Sequence, residues 1–282
     1  MTTRVRLGLT SPAGAPGRDG TMTGPGPPGH EPLVSVVLPT FNRAGLLGRA
    51  IQSVLDQTYR TLELLVVDDG STDDTAAVVV RIADDRLRYL PQPANRGQAA
   101  ARNEGVRRAR GEFVSFQDSD DVWLPDRLAR LMAAFATAGP RIGVVYSDML
   151  RVWRDGRVTY HRSPTMVRGR LLDAEARFYQ AYGLGIQATV MRRRCLEWAG
   201  GFNERLHCFE DLDLFMRLQR RYDFLHVEAP LTEYHQSSGV SDQMRNECRA
   251  RQWLLLRYGL ALAFESPAFV RRELRHVREC RR

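Results

Sequence analysis

The chain contains no lysine. All 41 of its strong cations are arginines, which reads as a compositional bias of its source and not as a site. Cysteine is scarce as well. Cys195, Cys208, Cys248 and Cys280 are the only four, and none stands in a C-x-x-C pair or at a metal-ligand spacing. With no signal-peptide pattern at the start, they are expected to be reduced thiols in a cytoplasmic protein. Long apolar runs are also missing. The nearest to a membrane span, Trp253 to Phe264, falls short of the roughly 18–20 residues required and carries Arg257 inside it, which excludes an integral membrane protein.

What is present is an ordinary balance of 43% hydrophobic and 26% charged residues over 282 positions, enough to bury a sizeable core. The net charge of +8 is unevenly placed. Ten Arg against four Glu between Arg245 and Arg282 give +6 of it. The remainder is close to neutral, so no nucleic-acid partner is implied.

Residues 1–32 are rich in Gly, Pro, Thr and Ser and are expected to be a disordered tail. From Val34 onward short apolar runs alternate with helical patterns. Val34 to Leu38, Leu62 to Val67, Leu87 to Leu90 and Phe113 to Phe116 read as buried strands. Leu46 to Leu55, Thr75 to Ile82 and Gln98 to Ala109 read as helices between them. That alternation predicts an α/β fold: a Rossmann-like, mostly parallel central sheet flanked by helices. Further on, the pattern predicts a helix over Asp126 to Phe135 and a strand over Ile142 to Tyr146. A hairpin is expected to turn at Asp155-Gly156, a strand to cover Ile186 to Met191 and a helix Asp211 to Arg220. Two short strands at Phe224 to Val227 and Leu231 to Tyr234 precede two Arg-rich helices from about Ser241. The expected division is a core of 33–240, with halves 33–121 and 122–240, and a C-terminal helical extension over 241–282.

In such sheets ligands bind beyond the carboxyl ends of the strands. Three polar groups stand where an apolar strand stops: Pro39-Thr40, Asp68-Asp69 and Asp118 to Asp121. Carboxylates one residue apart at a strand end suit a hard divalent cation shared with phosphates; the structural alternative is a solvated turn before the next helix. The pair Asp68-Asp69, followed by Gly70, suits the polar edge of a base or ribose, or else helix capping. Glu210-Asp211 opens a helix, where a carboxylate is held ionised and can serve as a general base, or simply cap.

Six segments occur in order: VSVVLPTFNR (Val34 to Arg43), SVLDQTYRTLELLVVDDGSTDDT (Ser53 to Thr75), NRGQAAARNEG (Asn95 to Gly105), DSDD (Asp118 to Asp121), GGFNE (Gly200 to Glu204) and EDLDLFMRL (Glu210 to Leu218). Together they resemble the family 2 inverting glycosyltransferases of GT-A fold over about Val34 to Gln236. The resemblance implies a nucleoside-diphosphate sugar donor, usually a UDP-sugar, a glycan or lipid-linked acceptor, and a divalent metal, Mn²⁺ or Mg²⁺. It implies that Pro39, Thr40 and Asn42 lie along the nucleoside and that Asp69 hydrogen-bonds the base. Asp118 would contact ribose or donor sugar, and Arg102 would stand near the nucleotide. Asp120 would ligate the metal, with His235 a second group reaching metal or diphosphate. Asp211 would be the base, with Glu210 supporting it or the acceptor. Two positions depart from the pattern: Gln117 where an aliphatic residue is usual, and Asn203 where Asp is commoner.

Two rival readings differ in their requirements. A sugar-phosphate nucleotidyltransferase needs a Gly-rich, Arg-containing loop after the first strand, where this chain has Pro39-Thr40-Phe41-Asn42-Arg43. A non-catalytic nucleotide-sugar-binding scaffold would not need both Asp120 and Asp211. The basic C-terminal helices have two open readings, a peripheral contact with an anionic membrane or packing on the core with solvated Arg.

Overall fold

The computed structural model describes residues 31–163, 184–236, 240–265, 270–271 and 273–275. The N-terminal tail up to residue 30 and residues 164–183 lie outside the described residues. So does Cys280.

A nine-stranded sheet organises the chain, with the order β3-β2-β1-β4-β8-β6-β9-β5 and β7 paired to β6. Its strands are β1 Val34–Thr40, β2 Leu62–Asp68, β3 Leu87–Pro91, β4 Phe113–Phe116, β5 Val122–Trp123, β6 Ile142–Val152, β7 Val158–His161, β8 Thr189–Arg192 and β9 Asp223–His235. The pairs β1–β2, β1–β4, β2–β3 and β6–β9 are parallel, whereas β8 lies antiparallel between β4 and β6. The sheet is therefore mixed and mostly parallel, as the alternation of strands and helices predicts.

Helices cover both faces: α1 Ala44–Leu55, α2 Thr75–Val80, α3 Gln98–Arg108, α4 Arg127–Thr137, α5 Arg193–Ala199, α6 Glu210–Leu218 and α7 Val240–Glu265. The two-residue period of the strands divides the core. Val34, Val36 and Leu38 of β1 point to one side, with Leu47, Ile51 and Val54 of α1 and Leu128, Leu131 and Phe135 of α4. Val37 points to the other, with Ala99 and Ala101 of α3, Leu214 and Phe215 of α6, and Leu254 and Tyr258 of α7. Fully burying each such aliphatic side chain is worth about 1.5–3 kcal/mol. Helix α3 lies so close to β1 that a Cβ on Gly105 would meet Val37 Cγ1 at 2.3 Å.

Several boundaries differ from the sequence expectation. The strand expected from Ile186 begins at Thr189, because Ile186–Ala188 form a 3₁₀ turn. The two short strands at 224–227 and 231–234 are one strand, β9, whose pairing with β6 shifts register around Ser147 and Asp148 and so absorbs Pro230. Helix α5 was not anticipated. Glu31 and Pro32 are ordered against the core, where Tyr59 donates to the Pro32 carbonyl at 2.5 Å and Thr61 to Glu31 at 3.0 Å. Reduced thiols are found at Cys195 and Cys208, but Cys248 is in a disulfide.

One face of α7 is consumed by packing. Cys248, Ala250, Leu254 and Tyr258 are buried, and Tyr258 donates to Asp213 of α6 at 2.8 Å. Arg249 and Arg257 are exposed, and so is Leu256 at 86%. Among the described residues no helix is long and apolar enough to cross a membrane.

Candidate active site

The parallel strands end in register. Thr40 pairs with Asp68 and Val37 with Phe116, so the residues that follow β1, β2 and β4 emerge along one edge of the sheet. Pro39 and Thr40 are buried there. Asn42 turns outward in a left-handed conformation, φ 51°, and binds the loop after β2. Its backbone N–H donates to Ser71 at 2.9 Å, and its side-chain oxygen accepts from the Thr72 N–H at 2.8 Å. Gly70 (φ 81°) lets that loop pass the next one, since a Cβ here would lie 2.8 Å from the Ala94 carbonyl carbon.

Asp69 is 4% exposed and accepts from the backbone N–H groups of Arg96 (3.0 and 3.1 Å) and Gly97 (2.7 Å). It thereby fastens the Asn95-Arg96-Gly97 turn to the end of β2, a role its position beside a strand end did not reveal. Asp68 accepts from Tyr89 at 2.5 Å and from the Ser71 N–H at 2.8 Å.

Asp118 to Asp121 form a turn closed by the Asp121 N–H donating to the Asp118 carbonyl at 3.1 Å. The unusual Gln117 has a structural reason: its amide donates to the Asp121 carbonyl at 2.7 Å, closing the same turn from below. Arg49 donates to the Asp120 carbonyl at 3.0 Å, and the Arg43 guanidinium stands 4.0 Å from the Asp120 carboxylate. Asp121 is fully buried. Its Oδ1 accepts the His235 N–H at 2.9 Å, and its Oδ2 has no hydrogen-bond partner. Burial, reinforced by the charges of Asp118 and Asp120, pushes this carboxyl well above the usual range. His235 is thus tied to the turn through its backbone, while its ring Nε2 lies 3.2 Å from Glu233.

Among the described residues no three His, Cys, Asp or Glu side chains form a ready-made metal cluster. The donor set present still fits a hard divalent cation that takes most of its oxygens from a bound diphosphate and from water. The turn supplies partly exposed carboxylates at Asp118 and Asp120, above a buried acid with an unpartnered oxygen.

Helix α6 begins at Glu210, after Phe209 in a left-handed conformation (φ 59°), so Glu210 and Asp211 both occupy its first turn. The Asp211 side chain accepts the Leu212 N–H at 2.7 Å. Burial first, and the neighbouring Glu210 charge second, push the Asp211 carboxyl up to about 7, with Arg102 opposing. Arg102 is the keystone of this corner. It is 2% exposed, donates through Nη2 to Asp118 at 2.7 Å, and forms a short contact through Nη1 with Glu210. Burial works against its charge, but Asp118 and Glu210 outweigh burial and hold it cationic. One guanidinium thus joins the strand-end turn to the helix that carries Asp211.

Arg102, Asp118, Glu210 and Asp211 line a cleft of about 400 Å³ together with Arg151 and Tyr234. Two features escaped sequence reasoning. Arg151 and Tyr234 face the cleft, and the Gly-Gly-Phe-Asn-Glu segment is bound to α3. Asn103 accepts the Phe202 N–H at 2.8 Å and donates to Glu204 at 2.9 Å, and Arg96 donates to Glu204 at 2.9 Å. Gly201 (φ 75°) is required there, since a Cβ would meet Asn103 Oδ1 at 2.6 Å. The uncommon Asn203 caps the same turn, accepting the Arg205 N–H at 3.2 Å.

A mostly parallel sheet with an acidic turn at its carboxyl edge, joined through Arg102 to the helix that carries Glu210 and Asp211, defines a nucleotide-sugar-binding fold of GT-A type. The chain belongs to Glycosyl transferase family 2, whose sequence model matches residues 35–195. It is 32% identical over 205 residues to the putative colanic acid biosynthesis glycosyl transferase WcaA of Escherichia coli, covering 68% of each chain. It is 42% identical over 96 residues to the E. coli UDP-Glc:alpha-D-GlcNAc-diphosphoundecaprenol beta-1,3-glucosyltransferase WfgD, covering 34% of this chain and 38% of that one. Among solved structures, the mannosyltransferase PcManGT of Pyrobaculum calidifontis, in complex with GDP-Man and Mn²⁺, shares the fold. Its TM-score is 0.58 at 23% identity, over 83% of this chain and 65% of that one. The chain spans about half the length, or less, of several curated relatives that it matches.

Proposed function

We propose that the chain is an inverting glycosyltransferase that moves a hexose from a nucleoside-diphosphate sugar, a UDP-sugar by analogy with WfgD, to a hydroxyl of a glycan or lipid-linked acceptor. The observation that carries this reading is the Arg102 bridge, which brings Asp118 and Asp211 to one cleft. In this reading Pro39, Thr40, Asn42 and Asp69, at the ends of β1 and β2, lie along the nucleoside. Asp118, oriented by Arg102, receives the ribose or donor sugar.

Asp211 takes the proton from the acceptor hydroxyl as its oxygen attacks the anomeric carbon from the face opposite the diphosphate. The bond to the diphosphate breaks in the same displacement, and the configuration inverts. A carboxyl pushed up to about 7 is a stronger base than a free aspartate and is still ionised at mildly alkaline pH. Glu210 stays paired to Arg102 and holds the first turn of α6 in place. Asp120, with His235 as a second candidate ligand, would hold Mg²⁺ or Mn²⁺ against the diphosphate, where the ion would neutralise the leaving group.

Asp120→Asn tests the metal assignment. Transfer is expected to fall by about 10²–10³-fold, as when a group stabilising developing charge is removed. The partly exposed turn should leave thermal stability within about 0.5 kcal/mol of the parent. Full activity that is indifferent to chelator in both proteins would refute it.

A peripheral membrane contact is part of the same reading, now carried by the outer face of α7, where Arg249 and Arg257 flank Leu256. With the inner face packed on the core, attraction rests mainly on charge, at about 1 kcal/mol per cation near anionic lipid. Sedimentation with anionic vesicles at low salt, released by high salt and absent with neutral vesicles, is the expected result. Absence of binding at low salt would remove the membrane from the account.

A further inference from the structure

One cleft is lined by Asp118, Glu210 and Asp211, gathered around Arg102, and by a second arginine, Arg151. Arg151 stands near the end of β6, with Thr159 of β7 and Tyr234 of β9 as its cross-strand neighbours. Aromatic rings position its guanidinium. The carbon at its centre lies 5.2 Å from the Trp153 ring centroid and 5.6 Å from that of Tyr234. Trp153 is itself fixed, its indole N–H donating to Thr159 at 2.9 Å and its ring carrying Arg157 at 5.0 Å.

Arg151 differs from Arg102 in having no acid. Among the described residues no carboxylate lies within ion-pair distance of it, and its Nε–H is buried without an acceptor. A buried donor left unmade costs about 1–3 kcal/mol, and aromatic faces return roughly 0.5–2 kcal/mol of cation–π attraction. The arrangement holds a planar donor fork in a fixed place and leaves it unsatisfied. Such a fork matches the two-oxygen edge of a phosphate or carboxylate. Arg151 belongs to the β6–β7 hairpin, in the half of the chain after the D-x-D turn, whereas the nucleoside-side loops follow β1 and β2.

We infer that Arg151 is the anion-recognising residue of an acceptor subsite, and that the acceptor carries an oxyanion of the phosphate class near the hydroxyl that reacts. The inference rests on the glycosyltransferase reading, because it assigns the β6–β7 hairpin's side of the cleft to the acceptor. It adds a class of acceptor: a sugar phosphate, or a sugar on a phosphate-linked carrier, in preference to a neutral glycan. The other source of the same chemistry is the diphosphate of the donor.

Methyl phosphate is the probe, and the intrinsic fluorescence of Trp153, with Trp153→Phe as the control that assigns the signal, is the readout on the full chain. The expected result is saturable binding that persists when UDP fills the donor site. It should weaken by about tenfold or more in Arg151→Gln, the equivalent of one charge-assisted hydrogen bond, while UDP affinity stays within about twofold. Arg151→Lys, which keeps the charge and loses the fork, is expected to fall between the two and serves if the Gln variant does not fold. Displacement of methyl phosphate by UDP, or a tenfold loss of UDP affinity in Arg151→Gln, assigns the anion to the donor and overturns the acceptor subsite. Absence of phosphate binding with and without UDP overturns it as well. Because binding is read without turnover, an enzyme that binds phosphate through Arg151 yet turns over no nucleotide sugar would sink the proposed function alone.

Discussion

Asp211→Asn is expected to lower transfer by about 10²–10⁴-fold, the range typical of a lost general base, while leaving donor affinity nearly unchanged. The amide keeps the size of the side chain and can still accept the Leu212 N–H, so the first turn of α6 should survive. In the parent, kcat/KM for the acceptor should rise with pH through about 7, because the carboxyl must lose its proton to act and burial beside Glu210 resists that loss. An ordinary aspartate would place this limb near pH 4.

The stability linkage has the opposite sign. A carboxyl whose folded pKa is raised binds more protons folded than unfolded between its ordinary value and about 7. Its ionisation therefore makes the fold less stable as pH rises through that window. The Asn variant should lose this dependence and melt at a higher temperature than the parent above neutrality. Donor affinity lost in step with rate would place Asp211 in the donor site and end its role as base.

Arg102→Met is expected to be the most damaging single change to the site. It leaves Glu210, 3% exposed, and Asp118 without their cation, and removing one partner of a buried pair costs about 3–5 kcal/mol. Activity should fall by roughly 10²-fold or more beyond any loss of folded protein, because the turn holding Asp118 and the helix holding Asp211 lose their common anchor. The unpaired carboxylates would repel each other most when ionised, so the variant's instability should grow as pH rises. Arg102→Lys restores charge without the two-pronged reach and should recover stability more than rate. The double variant Arg102→Met with Glu210→Leu should recover stability, since an apolar pair can replace a buried ion pair, and stay inactive. Recovery of activity in that double variant would show Arg102 to be structural only. The measurements are chemical denaturation across pH and kcat on the folded fraction.

Much of this was legible because it depends on short-range pattern. Apolar runs such as Val34 to Leu38 could only be buried strands, and the acids following Val67 and Gln117 then had to stand at the ligand-binding edge of the sheet. Asp118 and Asp120 were named on that basis, and Glu210 and Asp211 as carboxylates opening a helix. What escaped depends on partners distant in the chain. The Arg102–Glu210 contact spans 108 positions, and no periodicity links a helical arginine to the start of another helix. The strand-end position of Asp69 was legible, whereas its bonds to the Arg96 and Gly97 N–H groups depend on how a later loop folds back. Two short strands were expected at Phe224 to Val227 and Leu231 to Tyr234, yet the register shifts against β6 let β9 run through Pro230 as one strand. Helix α5 was hidden by three consecutive arginines, Arg192 to Arg194, which mask the apolar period of Cys195, Leu196 and Ala199. Arg151 and Tyr234 converge only because β6 and β9 pair, and no motif marks either.

The central claim is displacement with inversion, helped by Asp211, and it can be tested before the acceptor is identified. With water as acceptor, slow hydrolysis of an α-linked UDP-hexose, drawn from a panel and supplied with Mn²⁺, releases free sugar whose anomeric proton can be followed by NMR before mutarotation. The account predicts that the β anomer appears first, at a rate that collapses in Asp211→Asn while UDP-hexose binding persists. Appearance of the α anomer first, or an unchanged rate in the Asn variant, would contradict it.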